Sequence, residues 1–403
     1  MVTRVRAVAR AVRSGPAVVR RKLSAGELGS LPVVLVLAVV WITFQSLNEN
    51  FLSPRNLSNL SVDIVGTGMI AVGIVFVLLL GELDLSVGSI SGLAAAVFAV
   101  LNVNNGVPEW LALIVAVLAG TVAGTVQGYS IARTRVPAFV ITLAGLLTWN
   151  GLMLSVLGDN GTVNLDENGL VAKLTSYYFT DDAVAYGLAA VAAGAVFLVS
   201  DRDRRRRKAI GMPHRSVHAI ALRTAAVAVV AFGVAYLLNR FQGLPLALLI
   251  FLVVVAGLDV VLRRTHYGRQ VYALGGSIEA ARRASLSVTW VQTAVLAASG
   301  TMAAVGGLFL ASRITSVSQS SGSGVLLVNA IAAAVIGGTS LFGGRGTTWS
   351  AVLGMLVIQS IASGMAITDT PPAVQFVITG GVLFAAVVID SLSRHSQATR
   401  RRA

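Results

Sequence analysis

Cysteine is absent from the sequence, and this absence excludes a disulfide framework, a thiolate metal site and a cysteine nucleophile. Charged residues are scarce, because Asp, Glu, Lys and Arg make up only 12% of the 403 residues, against about 25% in an average soluble domain. Hydrophobic residues make up 55%. The composition therefore excludes a water-soluble globular protein and indicates a protein that lies in a membrane.

Residues that would supply energy or hydrolytic chemistry are missing as well. A phosphate-binding P-loop needs a lysine directly after its last glycine, and none of the three lysines, Lys22, Lys173 and Lys208, follows a glycine. The four histidines form neither a His-Glu-x-x-His motif nor a grouping with Ser and Asp. The sequence therefore predicts no catalytic residue, no metal and no cofactor bound by this chain.

Long apolar runs take up most of the chain. A helix needs about 20 apolar residues to cross a hydrocarbon core of about 30 Å. Runs of roughly this length, almost free of Lys and Arg, cover residues 31–47, 61–80, 86–101, 109–131, 137–157, 183–200, 217–238, 243–262, 289–311, 325–342, 347–366 and 372–390. The run 86–101 is short and the run 217–238 contains Arg223, so we predict an all-α polytopic membrane bundle of about 10–12 transmembrane helices.

The basic residues predict how these helices are oriented. If the helices alternate in direction, nearly all of the 31 lysines and arginines fall on one side, and the other side receives only Arg55, Lys173, Arg240 and Arg313. Because basic loops stay in the cytoplasm, we predict that both termini are cytoplasmic. The net charge of +14 then reflects membrane orientation and the binding of anionic lipid, and we predict no nucleic-acid partner.

The segments outside the runs divide the chain. We predict a basic cytoplasmic arm at 1–30, a transmembrane domain at 31–390 and a basic cytoplasmic tail at 391–403. The transmembrane domain carries three long connections, namely an exterior loop at 158–182, a cytoplasmic basic loop at 201–216 and a cytoplasmic segment at 263–288.

The apolar runs contain many small residues but few charges. Gly120, Gly124 and Gly128 recur every four residues, a spacing that lets a neighbouring helix approach closely. An ion-coupled carrier usually keeps ionisable residues near the midplane, and such residues are rare here. Uncharged polar residues are the candidates for a translocation path, namely Gln127, Asn150, Asn329 and Gln359. Hydrogen bonding between helices is the alternative role for each of them.

Two glycine-containing breaks interrupt the apolar runs. The first break, Gly81-Glu-Leu-Asp-Leu-Ser-Val-Gly88, places two acids and a serine between two runs. The second break, Gly337-Gly-Thr-Ser-Leu-Phe-Gly-Gly-Arg-Gly346, predicts a backbone turn, because it lacks the lysine of a phosphate loop. Residues 66–101 and 325–361 share the order run, break, run, which suggests an internal duplication.

The cytoplasmic segment contains the stretch GRQVYALGGSIEAARRASL, which starts at Gly268. A helix is predicted to begin near Ser277, because serine caps helix N-termini and Glu279 in the first turn complements the helix dipole. Ala280 and Ala281 give this helix a small-residue face that suits docking into a groove of another protein. A helix that lies on the bilayer is the alternative.

These three stretches resemble the ribose/xylose-type permease subunits of bacterial ABC sugar importers. GELDLSVGS resembles the family's first signature, GRQVYALGGSIEAARRASL its cytoplasmic coupling segment, and NAIAAAVIGGTSLFGGRGT its second-half signature. The resemblance covers roughly residues 50–390, and Ser285 stands where the coupling motif commonly has glycine.

The resemblance implies a multi-pass subunit of the bacterial inner (plasma) membrane that forms a homodimeric channel. It implies a cytoplasmic ABC ATPase subunit, which binds ATP and Mg²⁺, and an extracytoplasmic binding protein that delivers a monosaccharide such as a xylose-like pentose. The implied ATPase-coupling residues are Gly275, Gly276, Glu279, Ala280, Ala281 and Arg282. The residues of the helix-break signatures are Gly81, Glu82, Asp84, Ser86, Gly88, Gly337, Gly338, Gly343, Gly344 and Arg345.

Other functions stay open on the sequence alone. A permease for nucleosides or branched-chain amino acids would share this architecture. An ion-coupled carrier would transport without an ATPase, and an integral membrane transferase would need Glu82 and Asp84 as a carboxylate pair. The scarcity of intramembrane charge favours a neutral solute.

Overall fold

The computed structural model describes residues 31–134, 136–159, 161–322 and 324–402. The predicted basic arm at 1–30 and the last residue of the predicted tail lie outside the described residues. The helices are α1 Leu31–Leu47, α2 Pro54–Leu79, α3 Val87–Ala99, α4 Glu109–Thr134, α5 Ala138–Leu157, α6 Leu170–Ser176, α7 Asp182–Ala209, α8 Val217–Asn239, α9 Leu246–Arg264, α10 His266–Gly276, α11 Ile278–Arg283, α12 Val288–Ile314, α13 Gly324–Ile336, α14 Thr348–Ile367 and α15 Pro372–Arg402. The strands are β1 Thr162–Asn164, β2 Tyr178–Phe179, β3 Leu244–Pro245 and β4 Ser316–Ser318.

Every predicted apolar run overlaps a helix, but the helix in the run 325–342 ends at Ile336, where the second break begins. In the described part of the chain, nine helices are long and apolar enough to cross a membrane, and α1, α13 and α15 contain shorter apolar stretches. The short run 86–101 forms α3 and continues into a π-helix, Val100–Asn104, so that the two together reach 18 residues. The prediction of an all-α polytopic membrane bundle is confirmed.

The connections contain more helix than the sequence indicates. Residues 201–209, predicted as part of a basic loop, are the last turns of α7. Asp201 supports these turns, because its Oδ2 accepts a hydrogen bond from Nε of Arg205 over 2.6 Å, one turn away. Helix α6 lies within the exterior loop 158–182, and α10 precedes the helix predicted at Ser277. Hydropathy does not reveal these segments, because they lack an apolar run of spanning length.

Helix α2 lies at the centre of the bundle, and 94% of its most apolar stretch is buried. Helix α12 packs against α2, α3 and α4. A Cβ atom on Gly124 of α4 would collide with the carbonyl oxygen of Leu296, and one on Gly120 would lie 2.7 Å from the carbonyl oxygen of Gly300. The predicted close approach at these glycines is confirmed, and larger residues there would push the helices apart.

Two short ladders join connections at one end of the bundle. β1 pairs antiparallel with β4, with Val163 opposite Val317, and β2 pairs antiparallel with β3. Near this end, Nε of Arg313 in α12 donates to Oδ1 of Asp63 in α2 over 2.8 Å. We call this end the outer end, and the opposite end, which carries α10 and α11, the inner end.

Candidate functional site

The first break begins where α2 ends. The chain turns at Gly81, whose φ of 78° lies in the left-handed region that favours glycine. Oδ1 of Asp84 then accepts hydrogen bonds from the backbone N–H of Ser86 over 3.0 Å and from its hydroxyl over 2.6 Å. Local bonds of this kind fix the turn that leads into α3.

Asp84 is also the centre of a buried polar cluster. The residue is 2% exposed, and its Oδ2 accepts a hydrogen bond from the hydroxyl of Ser299 in α12 over 3.2 Å. Gln127 of α4 is 3% exposed, and its amide lies 2.9 Å from the hydroxyl of Ser86. Polar side chains thus hold the first break, α4 and α12 together inside the bundle.

The hydroxyl of Ser86 determines the orientation of the Gln127 amide. Ser86 has a single hydroxyl proton, and the shorter contact assigns this proton to Asp84. We therefore place the amide nitrogen of Gln127 toward Ser86, where it donates to the hydroxyl oxygen. The amide oxygen then lies on the side of Gly145, and the indole nitrogen of Trp149 in α5 also lies close to this glycine, without a partner among the described residues.

Glu82 lines a cleft at the inner end. Its Oε1 accepts a hydrogen bond from Nε2 of Gln292 over 2.7 Å. Its Oε2 is buried and has no hydrogen-bond partner in the part of the chain that the structure describes. This cleft, called the Glu82 cleft below, has a volume of about 400 Å³, and it is lined by residues 81–83, 131–132, 136–139, Ile278, Arg282 and Gln292. It therefore lies between the first break, the α4–α5 connection, α11 and α12.

The second break folds back onto the first. Gly343 and Gly344 have φ angles of 86° and 71°, so the predicted backbone turn is confirmed. The N–H of Gly344 donates to the carbonyl oxygen of Leu79, the last residue of α2, over 2.9 Å. A Cβ atom on Gly343 would lie 2.9 Å from the backbone nitrogen of Gly81. The backbones of the two breaks are therefore in contact.

The coupling segment reaches the same point. A Cβ atom on Gly275, in the last turn of α10, would collide with the carbonyl oxygen of Leu79. The phenol of Tyr272 donates to the carbonyl oxygen of Gly346 over 2.8 Å. Burial raises the pKa of the Tyr272 phenol, so the phenol stays protonated and remains a donor at neutral pH. The three stretches that carry the family resemblance thus meet at the inner end.

Helix α11 begins where the sequence predicts a helix. The hydroxyl of Ser277 caps it by accepting a hydrogen bond from the N–H of Ala280 over 3.2 Å. Glu279, Ala280 and Arg282 are exposed, whereas Ala281 is 3% exposed and packs inward. The exposed residues are available to a partner protein, and Ala281 instead holds the helix against the bundle.

The chain leaves α11 through Ser285, which has a φ of 58°. A left-handed conformation costs an L-residue about 1–2 kcal/mol, whereas glycine adopts it readily. Serine therefore forms this turn at a cost in backbone strain, at the position where the resemblance predicts glycine.

The candidate path residues lie on two pairs of neighbouring helices. Gln127 and Asn150 lie on α4 and α5, and Asn329 and Gln359 lie on α13 and α14. Gln127 belongs to the buried polar cluster, so it bonds between helices. The other three side chains are half-buried and form no hydrogen bond with any described residue. Their place on a translocation path stays a prediction.

Sequence reasoning missed the partners of the two acids. Gln292 bonds to Glu82, and Ser299 bonds to Asp84. These two polar residues are seven positions apart in an apolar run, which places them on one face of α12, two turns apart. This spacing is the sequence signal that indicates a polar face on α12 and could have identified the two partners.

Comparison with known proteins agrees with these features. The sequence profile of the family described as branched-chain amino acid transport system / permease component matches residues 56–387. The xylose transport system permease protein of Escherichia coli (strain K12) is 36% identical over 372 residues, which are 92% of this chain and 91% of that protein. The ribose import permease protein of Bacillus subtilis (strain 168) is 30% identical over 365 residues, 91% of this chain and 94% of that protein.

The L-arabinose ABC transporter permease protein of Azospirillum brasilense is 30% identical over 366 residues, which are 91% of this chain and 88% of that protein. No solved structure matches the chain significantly. The matched range includes both breaks and the coupling segment, so the resemblance predicted from these stretches is confirmed. This membrane protein therefore belongs to the permease-component family of the branched-chain amino acid transport system, among relatives that are sugar ABC permeases.

Proposed function

We propose that this chain is the membrane-spanning permease subunit of an ABC importer for a monosaccharide, and that it carries a xylose-like pentose or a related sugar. The relatives that transport xylose, ribose and L-arabinose support a sugar as the cargo. An extracytoplasmic sugar-binding protein delivers the sugar to the outer end. A separate cytoplasmic ATPase subunit binds ATP and Mg²⁺ and supplies the energy.

The contact of the coupling segment with both breaks is the observation that carries this proposal. Gly275 and Gly344 pack backbone to backbone around Leu79, with no side chain between them to absorb a displacement. Helix α11 follows α10 after a single residue and contacts it. Close-packed interiors transmit strain, so a partner that displaces these two helices also displaces the two breaks. ATP drives transport only if the ATPase binds the two states of the permease with different affinity. Reversing a ratio of states from 1:99 to 99:1 requires about 5.5 kcal/mol.

We further propose that a second copy of the chain completes the channel beside α5. This helix exposes apolar residues such as Leu147, which is 68% exposed. It also carries the half-buried Asn150, whose amide has no partner among the described residues. A polar group without a hydrogen-bond partner is costly in lipid. The side chain of Asn150 is therefore better accommodated in a protein interface or a water-filled path than against the lipid.

The proposed orientation places the inner end in the cytoplasm of a bacterial cell, with the chain in the plasma membrane. The basic last turns of α7 and of α9 lie at this end. Basic residues of membrane proteins stay on the cytoplasmic side, where anionic lipid attracts them.

Reconstitution of the importer tests the proposal. The full chain is assembled in proteoliposomes with an ABC ATPase subunit and a sugar-binding protein of the same organism, and uptake of D-xylose, D-ribose, L-arabinose and L-leucine is measured. We expect ATP-dependent uptake of at least one of the sugars. Uptake of L-leucine alone would indicate an amino-acid permease. Solute accumulation in an ion gradient, without the ATPase, would indicate a secondary carrier and overturn the proposal.

A further inference from the structure

We propose that the Glu82 cleft is an inner sugar site, in which a monosaccharide is held by hydrogen bonds before it leaves at the inner end. This inference rests on the proposed function and adds a binding site to it. The cleft is of a suitable size, and it contains a solvent-shielded hydrogen-bond acceptor, Oε2 of Glu82, to which no described residue donates.

Glu82 supplies the acceptor. Gln292 donates to Oε1 over 2.7 Å, whereas Oε2 is shielded from solvent and no described residue donates to it. Leaving a shielded carboxylate oxygen without a donor costs free energy. The hydroxyl groups of a sugar are donors, and they form short, charge-assisted hydrogen bonds with carboxylates.

The remaining lining fits the other groups of a monosaccharide. Arg282 and Gln292 carry N–H donors for the hydroxyl oxygens of a sugar. Phe139, which is 51% exposed, presents an aromatic ring to the apolar C–H groups of a sugar ring. The volume of about 400 Å³ lies in the range of small-molecule sites. Donors and an acceptor beside apolar residues such as Leu83 and Ile131 suit the hydroxyl groups and the C–H faces of a monosaccharide.

The position of the cleft connects sugar release with the coupling helix. Ile278 and Arg282 belong to α11, and Glu82 belongs to the first break, so movement of α11 changes the width of the cleft. Deeper in the bundle, the polar cluster of Asp84 follows two residues after Glu82. Polar groups therefore extend from the interior of the bundle to the cleft.

Single cysteines can test this site, because the chain has none of its own. Ala132→Cys places a thiol in the cleft, and Ala209→Cys places one at the exposed end of α7, away from the lining. The full chain in nanodiscs is labelled with a maleimide in the presence of D-xylose, D-ribose or L-arabinose. At a sugar concentration three times its Kd, we expect labelling of Ala132→Cys to slow about fourfold, because three quarters of the sites are occupied. Labelling of Ala209→Cys should not change.

Glu82→Gln in the Ala132→Cys background separates sugar binding from a change of fold. The half-protection concentration is the sugar concentration that halves the labelling rate of Ala132→Cys. We expect it to rise roughly tenfold, which corresponds to the loss of one charge-assisted hydrogen bond. The labelling rate without sugar should stay the same. An unchanged half-protection concentration, or no protection by a sugar that the assembled importer takes up, overturns the inner site and leaves the proposed function intact. Uptake of L-leucine and of no sugar overturns both.

Discussion

A backbone hydrogen bond of 2.9 Å joins Gly344 to Leu79, from the N–H of the glycine to the carbonyl oxygen of the leucine. Leu79 ends α2, and Gly344 lies in the second break, so this bond connects the two halves of the chain at the inner end. Gly275 of the coupling segment packs against the same carbonyl group. Because three backbones meet here without intervening side chains, we expect the junction to be sensitive to small increases in volume.

Gly275→Ala tests the junction. The added methyl group would collide with the carbonyl oxygen of Leu79, and it would also lie 2.9 Å from the nitrogen of Gly344. Overpacking of this kind costs about 1–3 kcal/mol, so we expect a lower melting temperature and weaker coupling of ATP hydrolysis to transport. Thermal unfolding in detergent and ATP hydrolysis by the assembled importer are the measurements.

Gly276→Ala is the matched control, because no atom lies within 4 Å of the position of its added Cβ. We expect this variant to retain wild-type stability. Equal melting temperatures for the two variants would show that the close approach at Gly275 does not contribute to stability.

Ser285→Gly should stabilise the protein. The left-handed backbone at Ser285, with a φ of 58°, costs a serine about 1–2 kcal/mol. Glycine avoids this strain, but it loses more backbone entropy on folding, which costs about 0.5–1 kcal/mol. The net gain is therefore about 0.5–1 kcal/mol, visible as a small rise in the melting temperature. Ser285→Ala keeps the strain and should bring no such rise. A gain of equal size in both variants would assign the effect to loss of the hydroxyl group.

Glu279→Lys tests the docking surface of α11. Glu279 is exposed in the first turn of the helix, so its replacement leaves the buried core unchanged. A reversed charge at an interface costs several kcal/mol, and we expect transport-coupled ATP hydrolysis to fall roughly tenfold or more while the chain still inserts in the membrane. Asp203→Lys, an exposed acid on α7 at the same end, is the control. Equal hydrolysis in the two variants would contradict docking through α11.

The sequence predicts the fold well, because the bilayer imposes length and hydropathy on each spanning helix. Even Arg223, within the run 217–238, does not interrupt α8. Helices outside the bilayer follow other rules, and α10 was missed because it is too short and too polar for a hydropathy signal. The cap at Ser277 could be predicted, because a cap depends only on residues within one turn.

The candidate site is only partly predictable. Its three stretches are recognisable from their residue types, but their meeting point depends on how distant helices pack. No local pattern places Gly344 beside Leu79, or Gln292 beside Glu82. Burial is equally hard to predict here. Ala280 and Ala281 are adjacent residues of the same type, yet only Ala281 faces the bundle.

Labelling of single cysteines from one side of the membrane tests the proposed orientation. Ala209→Cys lies at the end of α7 at the inner end, and Ser320→Cys lies between β4 and α13 at the outer end, and both positions are exposed. Because the basic residues concentrate at the inner end, we expect a membrane-impermeant maleimide to label Ser320→Cys in intact cells and Ala209→Cys only after the membrane is opened. Labelling of Ala209→Cys in intact cells would reverse the orientation. In the reversed orientation, α11 would lie outside the compartment that contains ATP, so the proposed coupling to the ATPase could not operate.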